Sequence, residues 1–346
     1  MTKKLKGLRI GILTVGGDCP GINAAIRGVG KTAIVKYGMK VVGISDGFSG
    51  MINNDYNELT EHDLSGILTL GGTILGTSRE KPFKNKGKGK PEIKKPALIK
   101  AHYEKMGLDC LVCIGGNGTL KTAHLLSQEG LNIVGIPKTI DNDVWGTDTT
   151  FGFDSAVNIA TESIDRLHST ANSHKRIMLI ELMGHNAGWI ALYSGLAGGG
   201  DVILIPEIPY SEEKIAEYLM HRVNENKPYS IVVVGEGIRN PNKEKSAAQY
   251  IGKRISELTG LETRETVLGY IQRGGTPSPM DRVLATRYGA AAADMIARKD
   301  YGKMVALKNC DIVSVPLAEV AGKLKLVEKD NPMVIQAKNM GTSFGE

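Results

Sequence analysis

The sequence has 346 residues, of which 41% are hydrophobic and 23% are charged, and its formal net charge is +6. This length exceeds the roughly 100–200 residues of a single domain, so we expect two lobes, and no uncharged run approaches the roughly 20 residues that span a bilayer. The four cysteines are too few for a disulfide framework, and the basic N-terminus leads into a short predicted strand rather than a signal segment, so we expect a cytoplasmic protein.

The first predicted element is a strand over residues 8–15, which runs into a glycine-rich turn and then a helix. The turn covers residues 16–23, GGDCPGIN, and the helix-like stretch begins at Ala24. A strand, a glycine cluster and a helix in this order let backbone N–H groups approach phosphate oxygens without side-chain obstruction. The turn matches neither the P-loop nor the Rossmann pattern, so it indicates another kind of phosphate site. Glycines also serve ordinary tight turns, which is the alternative for this turn taken alone.

The next predicted strand covers residues 40–45. A lysine-rich stretch comes later in the chain, directly after the segment 71–79. It holds eight lysines interleaved with glycine and proline: Lys81, Lys84, Lys86, Lys88, Lys90, Lys94, Lys95 and Lys100. Such a run can bind nucleic acid, but no aromatic platform or recognisable binding motif accompanies it. We therefore expect a solvated loop and no nucleic-acid partner. A third interpretation is that some of these basic groups cover a phosphoryl donor.

The predicted strand at residues 109–114 leads into a second glycine-rich turn, GGNGT at residues 115–119, and then into a helix-like stretch at 120–125. Two turns of this kind in one chain favour a phosphate site more strongly than one does. Within the strand, Cys110 and Cys113 have the spacing of a metal-binding pair. Positions three apart in a strand face opposite sides of the sheet, so we predict two buried, hydrophobic thiols and no metal.

The strand predicted at residues 132–137 ends in a turn with two carboxylates, PKTIDND at residues 137–143. In open parallel α/β sheets, ligands bind beyond the carboxyl ends of the strands, so this turn is well placed to contact a substrate. One of Asp141 and Asp143 can act as a base while the other orients it, or binds a metal or a sugar hydroxyl. The alternative is a loop whose Asp and Asn side chains bond their own backbone.

Three further strands are predicted at residues 176–182, 201–205 and 230–234. The first and the last are continuous apolar runs rather than alternating ones, which is typical of parallel strands covered on both faces. Strands and helices alternate through both halves of the chain, and this alternation predicts an α/β fold.

Six motifs, in this order along the chain, resemble those of the phosphofructokinase family, which includes ATP-dependent and pyrophosphate-dependent 6-phosphofructokinases. They are GGD at 16–18, GGNGT at 115–119, PKTIDND at 137–143, MGHNAGW at 183–189, GEG at 235–237 and GYIQRGG at 269–275. The resemblance runs from about residue 8 to the C-terminus. The ending, AKNMGTSFG at 337–345, is similar to a branch of the family in which ATP users and pyrophosphate users are mixed.

The resemblance implies an α/β fold of two similar three-layer α/β/α lobes with mainly parallel sheets and an active site in the cleft between them. It assigns residues 1–152 and 272–322 to a phosphoryl-donor (ATP) lobe, and residues 153–271 and 323–346 to a sugar-phosphate lobe. The implied activity is that of an ATP-dependent 6-phosphofructokinase, which transfers the γ-phosphate of ATP to the 1-hydroxyl of fructose 6-phosphate. This glycolytic reaction gives fructose 1,6-bisphosphate and uses Mg²⁺. Alternatives are a pyrophosphate-dependent phosphofructokinase, a kinase of another ketose phosphate such as sedoheptulose 7-phosphate, and a non-catalytic binding homologue.

The family's site residues carry over to named positions of this sequence. The resemblance makes Asp141 the catalytic base and gives site-organising or substrate-side roles to Asp143, Thr139 and His185. It implies a donor site made of Gly16, Arg79, Gly116, Asn117, Gly118, Thr119 and Lys138. It implies an acceptor site made of Thr139, Asp141, Arg176, Met183, Gly184, His185, Glu236, Arg264, Tyr270 and Arg273. The intact Asp141 and Asp143 weigh against a non-catalytic protein, which has no chemical need for a base.

Three donor-site residues bear on the choice of phosphoryl donor. Pyrophosphate-dependent relatives carry Asp at the position of Gly118, where that side chain would occupy the space of the α-phosphate, so glycine favours ATP. Lys138 is typical of pyrophosphate users and keeps that alternative open. Asn117 stands where the family usually has Asp or Glu near Mg²⁺. Because amides bind hard cations less strongly than carboxylates, we expect the metal to be held chiefly by the donor's phosphates and by water, with a weak contribution from Asn117.

Two acceptor-site residues depart from the family pattern, since His185 stands where Arg is usual and Tyr270 where His is common. A histidine lacks the fixed cation that steadies a developing charge. We therefore expect slower turnover of fructose 6-phosphate or a preference for another ketose phosphate, unless Lys138 acts as a substitute cation. Arg176 and Arg264 correspond to positions that reach a neighbouring subunit's site, which implies a homo-oligomer, a dimer or the tetramer common in this family.

Overall fold

The computed structural model describes residues 7–84, 95–241 and 244–346. Its internal contacts divide the chain into two compact units. The first unit is Met1–Thr139, Val144–Gly152 and Arg273–Leu324, and the second is Ile140–Asp143, Phe153–Gln272 and Lys325–Glu346. The segment 140–143 is thus grouped with the second unit, whereas the division implied by the resemblance assigned it to the first lobe.

All seven strands predicted from the sequence are present, and their ends differ from the predicted ones by at most one residue. In chain order, the strands of the described residues are β1 (Arg9–Thr14), β2 (Lys40–Ile44), β3 (Tyr56–Leu59), β4 (Cys110–Gly115), β5 (Ile133–Pro137), β6 (Ile177–Leu182), β7 (Val202–Leu204), β8 (Ser230–Gly235), β9 (Thr263–Val267), β10 (Lys303–Lys308) and β11 (Asp311–Pro316).

Helices alternate with these strands. The α-helices of the described residues are α1 (Ile22–Lys31), α2 (Phe48–Asn53), α3 (Lys95–Lys105), α4 (Asn117–Gln128), α5 (Phe153–His174), α6 (Trp189–Ala197), α7 (Glu212–Asn224), α8 (Ala247–Thr259), α9 (Pro279–Ala297), α10 (Leu317–Val320) and α11 (Pro332–Asn339). Thr32–Tyr37 is π-helical, and Ile67–Thr69 and Gly269–Arg273 are short 3₁₀ segments. In the part of the chain that the structure describes, none of these helices has the length and apolar character that crossing a membrane requires.

In the first unit, seven strands form one sheet in the order β11-β10-β5-β4-β1-β2-β3. The strands from β10 to β2 are parallel, while β11 and β3 are antiparallel edge strands. In register, Thr14 lies beside Ile114 and Gly115 lies beside Pro137. The turns that follow β1, β4 and β5 therefore begin at the same edge of the sheet, where ligands of parallel sheets bind.

In the second unit, the sheet order is β7-β8-β6-β9, and every pairing is parallel. β8 is buried along its whole length and β6 nearly so, which confirms the prediction of strands covered on both faces. Leu182 lies beside Gly235 in register, so the segments after β6 and β8 meet at one edge. The mostly parallel sheets with connecting helices confirm the predicted α/β fold.

The two thiols of β4 are buried and free, as predicted. Burial raises the pKa of both Cys110 and Cys113, which suits inert, hydrophobic positions rather than reactive or metal-binding ones.

Part of the lysine-rich stretch is engaged in local contacts. Lys95 Nζ forms an ion pair with Glu80 at 2.6 Å, and Lys100 Nζ donates to Glu129 O at 2.9 Å. Lys81 and Lys84 are exposed, and Lys86, Lys88, Lys90 and Lys94 lie outside the described residues.

Helices α1 and α9 of the first unit pack closely through glycine. A Cβ on Gly289 would overlap Ala25 O and lie 2.7 Å from Val29 N, and a Cβ on Gly28 would lie 2.7 Å from Thr286 O. Because these neighbours are backbone atoms that cannot easily move, we predict that Gly289→Ala destabilises the protein by about 1–3 kcal/mol. This loss should outweigh the better helix propensity of alanine.

Gly252→Ala in α8 is the matched control for Gly289→Ala. A Cβ at Gly252 would lie 3.4 Å from its nearest neighbours, which is an ordinary contact. The control should therefore keep the wild-type stability or gain up to about 1 kcal/mol from helix propensity. Denaturant unfolding of both variants measures the difference, and equal free energies of unfolding for the two would contradict the close α1–α9 packing.

Candidate active site

The turn after β1 is fixed by contacts within the first unit. Gly16 has a φ of 87°, its N–H donates to Ser78 O at 3.0 Å, and Thr77 Oγ1 donates to its carbonyl oxygen at 2.7 Å. The next residue after Ser78 is Arg79, whose side chain is exposed. Two residues of the expected donor site, Gly16 and Arg79, therefore lie in the same neighbourhood.

Two cationic side chains bond the carbonyl groups of this turn. Lys138 is only 3% exposed and donates from Nζ to Gly17 O, and Arg273 Nη1 donates to Asp18 O at 3.3 Å. A Cβ on Gly17 would overlap the Arg273 guanidinium, so glycine lets the arginine approach. Within the described residues, nothing accepts a hydrogen bond from the buried Arg273 Nε. The resemblance gives Arg273 to the acceptor side, and the structure holds it in the first unit against this turn.

The turn after β4 opens α4. Gly116 is its N-cap residue, and Leu120 N donates to Gly116 O at 3.0 Å, so residues 117–119 form the first helical turn, whose N–H groups point out of the helix end. Thr119 is buried and packs on Gly115, where a Cβ would overlap its side chain. The N-terminus of a helix favours a phosphate through both its N–H groups and its dipole.

Gly118 lies exposed in the first turn of α4 and has no positive φ that would call for glycine. A Cβ built on it would meet no atom of the described chain within 4 Å. Glycine is less favourable than alanine in a helix by about 1 kcal/mol, and the packing of the described residues of this unit does not require it. The space beside Gly118 is therefore open to a ligand.

The turn after β5 is anchored in the first unit as far as Thr139. Lys138 N donates to Gly115 O at 3.0 Å, and Thr150 Oγ1 donates to Thr139 O at 2.8 Å. Lys138 and Thr139 are both buried, so the backbone that leads into the two-carboxylate turn is held on both sides.

In the second unit, Asn142 shapes the two-carboxylate turn. It has a φ of 52°, a conformation that Asn tolerates better than most residues, and its Oδ1 accepts a hydrogen bond from Lys325 Nζ at 2.9 Å. Lys325 N donates to Asp143 O at 2.8 Å. Asp141 and Asp143 flank Asn142 and are partly buried. The turn is thus tied to a lysine that lies 183 residues further along the chain than Asn142.

The carboxylate of Glu236 organises the loop after β6 in the second unit. Its Oε1 accepts hydrogen bonds from Gly184 N at 3.3 Å and from His185 N at 2.8 Å, while Gln272 Oε1 accepts one from Met183 N at 2.8 Å. The φ values of 147° at Gly184 and 51° at His185 turn the chain sharply. The structure thus brings together Met183, Gly184, His185 and Glu236, all of them expected acceptor-site residues.

An open cavity of about 420 Å³ lies beside this loop. His185 and Glu236 line it together with Glu181, Lys245 and other residues of the second unit. Glu181 is 8% exposed, its Oε2 accepts a hydrogen bond from Ala248 N at 2.8 Å, and burial raises the pKa of its carboxyl group. Carboxylate oxygens can accept hydrogen bonds from sugar hydroxyls, and the volume is in the range of small-molecule sites.

Arg176 and Arg264 lie together at the opposite edge of the second sheet. Arg264 pairs with Met178 near the start of β6, and the six residues of β6 separate this edge from Met183 by about 20 Å. Both arginines bond one carboxylate, because Arg176 Nε donates to Glu262 Oε2 at 2.7 Å and Arg264 Nη2 donates to Glu262 Oε1. The bond from Arg176 lowers the pKa of Glu262. Neither arginine can therefore reach the Met183 loop of its own unit.

The remaining expected residue, Tyr270, has a side chain that is 73% exposed. Three residues that the sequence did not assign to the site contact its expected members or line the cavity beside them. They are Gln272, which bonds Met183, Glu181, which lines the cavity, and Lys325, which bonds Asn142. Gln272 carries a signal in hindsight, since it lies within the motif at 269–275, and Glu181 is a lone acid in an apolar strand. Lys325 carries none, because its partners are far away in the sequence.

A preformed metal cage is not seen in residues 7–84, 95–241 and 244–346, where no three His, Cys, Asp or Glu side chains are grouped to hold an ion.

Comparison with known proteins gives one consistent result. The family model described as Phosphofructokinase matches residues 9–296. An ATP-dependent 6-phosphofructokinase 3 of Bacteroides thetaiotaomicron is 63% identical over 338 residues, which cover 98% of this chain and all of that protein. A pyrophosphate–fructose 6-phosphate 1-phosphotransferase of Amycolatopsis methanolica is 47% identical over 337 residues, 92% of this chain and 96% of that one. The crystal structure of Pichia pastoris phosphofructokinase in the T-state matches with a TM-score of 0.82 and 34% identity, over 90% of this chain and 35% of that chain.

Proposed function

The chain belongs to the phosphofructokinase family, and we propose that it is an ATP-dependent 6-phosphofructokinase. In this reaction the 1-hydroxyl oxygen of fructose 6-phosphate attacks the γ-phosphorus of ATP, and the bond from that phosphorus to the β–γ bridging oxygen breaks. ADP leaves, the hydroxyl proton passes to a base, and fructose 1,6-bisphosphate forms. Similarity along the full length of a relative that is named for this activity supports the proposal.

The observation that carries the choice of donor is the open space at Gly118. A nucleotide needs room for an α-phosphate, whereas pyrophosphate has no such group. The first turn of α4 offers N–H groups to a phosphate, and a Cβ at residue 118 would enter that space without meeting any atom of the described chain within 4 Å. Since the packing of the described residues does not require glycine at position 118, we explain Gly118 by the α-phosphate that it leaves room for.

On the donor side, the protein's task is to position the phosphates and neutralise their charge. We assign this task to the turns at 16–18 and 115–119 and to Arg79. Lys138 and Arg273 add two positive charges beside the first turn. Mg²⁺ would neutralise further charge on ATP when bound, with the Asn117 amide as the expected weak protein ligand.

On the acceptor side, Asp141 takes the proton of the 1-hydroxyl, and Asp143 and Thr139 organise the turn around it. Glu236, Met183, Gly184 and His185 bind the sugar. Since His185 replaces the usual arginine of the motif, we expect weaker stabilisation of the developing charge than a fixed cation gives. Tyr270 and Arg273 complete the expected acceptor set.

Pyrophosphate-dependent transfer is the second candidate. Two observations favour it: the buried Lys138, which has the identity typical of pyrophosphate users, and the 47% identity to a relative named as a pyrophosphate enzyme. A lysine at residue 138 can serve either donor. A carboxylate at residue 118 would exclude the α-phosphate of ATP, and this chain has glycine there instead. We therefore rank ATP first.

A turnover panel tests both candidates. ATP, ADP, GTP and pyrophosphate are each tried with fructose 6-phosphate and with sedoheptulose 7-phosphate, in the presence of Mg²⁺ and of excess chelator. We expect the highest kcat/KM with ATP, fructose 6-phosphate and Mg²⁺. Faster turnover with pyrophosphate would show that pyrophosphate, and not ATP, is the donor, and no turnover with any pair would favour a binding protein.

The cytoplasmic location expected from the sequence stays a prediction, which the turnover panel does not test.

The position of Arg176 and Arg264 supports a homo-oligomer. Since they lie about 20 Å from the Met183 loop of their own unit, we assign them to the sugar-phosphate site of another copy. We predict that Arg264→Ala raises the KM for fructose 6-phosphate about 10- to 100-fold, because hydrogen bonds to charged groups are worth about 1.5–3 kcal/mol. Arg166→Ala, which breaks an exposed ion pair on α5, is the control and should leave KM unchanged.

Hybrid oligomers separate action between copies from action within one chain. When Arg264→Ala and Asp141→Asn chains are expressed together, a mixed oligomer contains sites with an intact base from one chain and an intact arginine from the other. The mixture should therefore regain low-KM activity that neither variant shows alone. Activity equal to the sum of the two separate variants would contradict a shared site.

A further inference from the structure

A short segment near the C-terminus, residues 325–327, is held by two side chains of the second unit. Trp189 Nε1 donates to Lys325 O at 2.9 Å, and Lys325 Nζ lies 5.5 Å from the centroid of the Trp189 ring, within the range of a cation–π contact. Val327 is 2% exposed, and its N–H donates to Glu207 Oε1 at 2.9 Å. The backbone of this segment is therefore fixed at both ends.

Glu207 joins this segment to the start of α6. Besides Val327 N, its carboxylate accepts hydrogen bonds from Gly188 N at 2.9 and 3.1 Å. A Cβ on Gly188 would lie 2.8 Å from Glu207 Oε2, so glycine permits the close approach. Burial raises the pKa of Glu207, and the N–H groups of Val327 and Gly188 oppose that shift. One carboxylate thus sets the position of both Trp189, which follows Gly188, and the segment 325–327.

Lys325 in turn makes two bonds to consecutive residues of the two-carboxylate turn. Its N–H donates to Asp143 O at 2.8 Å, and its Nζ donates to Asn142 Oδ1 at 2.9 Å. Asn142 has the left-handed φ of 52° on which the shape of the turn depends. The Lys325 side chain, which is fixed by the Trp189 ring, therefore holds Asn142, the residue of the turn with the left-handed backbone conformation.

We propose that Lys325, fixed by Trp189 and Glu207, is a positioning residue that holds the 141–143 turn so that Asp141 faces the acceptor hydroxyl. This inference rests on the proposed function, in which Asp141 is the base. Lys325 does not exchange a proton with substrate in this role. It acts through Asn142, and it matters because proton transfer requires the base within hydrogen-bond reach of the hydroxyl.

Lys325→Met tests the inference in the full-length enzyme. Methionine keeps an unbranched apolar side chain against Trp189 but cannot bond Asn142. We expect kcat to fall about 10- to 100-fold, as for a misplacement of about 1 Å in other sites, while the KM for ATP changes by less than about twofold. Lys325→Arg, which can still donate to Asn142 Oδ1, should recover most of the turnover. Trp189→Phe, which keeps the aromatic contact but removes the bond to Lys325 O, should show a smaller loss of kcat.

Lys323→Met is the matched control. Lys323 lies two residues earlier on the same stretch and also stacks on a tryptophan, with Nζ 5.9 Å from the centroid of the Trp145 ring. Among the described residues, Lys323 forms no hydrogen bond to residues 141–143, so its loss should leave kcat and KM at their wild-type values. Equal losses of kcat in the two methionine variants would overturn the inference.

A double-variant cycle distinguishes failure of this inference from failure of the proposed function. If Lys325 acts only through the base, Lys325→Met should slow the Asp141→Asn enzyme by less than about twofold, although it slows the wild type strongly. An equal slowing in both backgrounds, or a normal kcat in Lys325→Met alone, would overturn the positioning role and leave Asp141 as the base. A normal kcat in Asp141→Asn would instead overturn the proposed base.

Discussion

Asp141→Asn is expected to lower kcat by about 10²–10⁴-fold, the contribution that a positioned general base makes. Asparagine has almost the same shape as aspartate and can still accept a hydrogen bond from the 1-hydroxyl, but it cannot take the proton. The KM for fructose 6-phosphate and the affinity for ATP should therefore change by less than about threefold. Steady-state kinetics and equilibrium ATP binding on the same preparation measure both quantities.

Asp165→Asn is the control for this substitution. Asp165 is an exposed carboxylate on α5 of the same unit, so its neutralisation changes the net charge equally without touching the turn. It should have wild-type kcat. Near-normal turnover in Asp141→Asn would refute its assignment as the base, and a loss of ATP binding would show that the variant had changed more than the proton acceptor.

Gly118→Asp is expected to reduce kcat/KM for ATP at least about 100-fold, because like-charge contact costs several kcal/mol in a binding site. The carboxylate would stand in the space proposed for the α-phosphate. The protein itself should fold normally, since a Cβ at residue 118 meets no atom of the described chain within 4 Å and residue 118 is exposed. An acidic residue in the first turn of a helix is even slightly favourable, by about 0.3–1 kcal/mol.

The informative measurement is the ratio of turnover with pyrophosphate to turnover with ATP, together with the thermal midpoint. The ratio should rise at least about 100-fold, in line with the loss of kcat/KM for ATP, because pyrophosphate has no α-phosphate to be excluded. Gly118→Ala is the control, since its methyl group is small and uncharged, and it should lose much less ATP activity. An unchanged ratio in Gly118→Asp would place residue 118 away from the nucleotide.

Much of the fold could be predicted because its central strands are short, mostly apolar runs, some of which end in glycine or proline. β4 and β5 are of this kind, and both were expected to within one residue. β9 was not, because its sequence TRETV is rich in polar residues and it forms an edge of its sheet with most of its side chains exposed or half-buried. β10 was also missed, since it joins the first sheet beside β5 through pairs such as Lys303 with Val134, which no local pattern indicates.

The candidate site shows the same division between local and distant information. The turns at 16–18, 115–119 and 137–143 carry their own signal, because glycines and carboxylates follow apolar strands. The loop at 183–185 depends instead on a carboxylate and an amide from Glu236 and Gln272, which fold next to it from later in the chain. The separation of Arg176 and Arg264 from that loop follows from strand register, which is a property of the sheet rather than of either residue.

The lack of close neighbours around Gly118 among the described residues has an evolutionary consequence. The glycine codons GGU and GGC become aspartate codons by one base change, and here the new Cβ would meet no atom of the described chain within 4 Å. If the donor site lies where we propose, a lineage could move from nucleotide to inorganic donor in a single mutational step, with no misfolded intermediate to select against. In a family with such a donor site, we expect closely related proteins to have switched phosphoryl donor more than once.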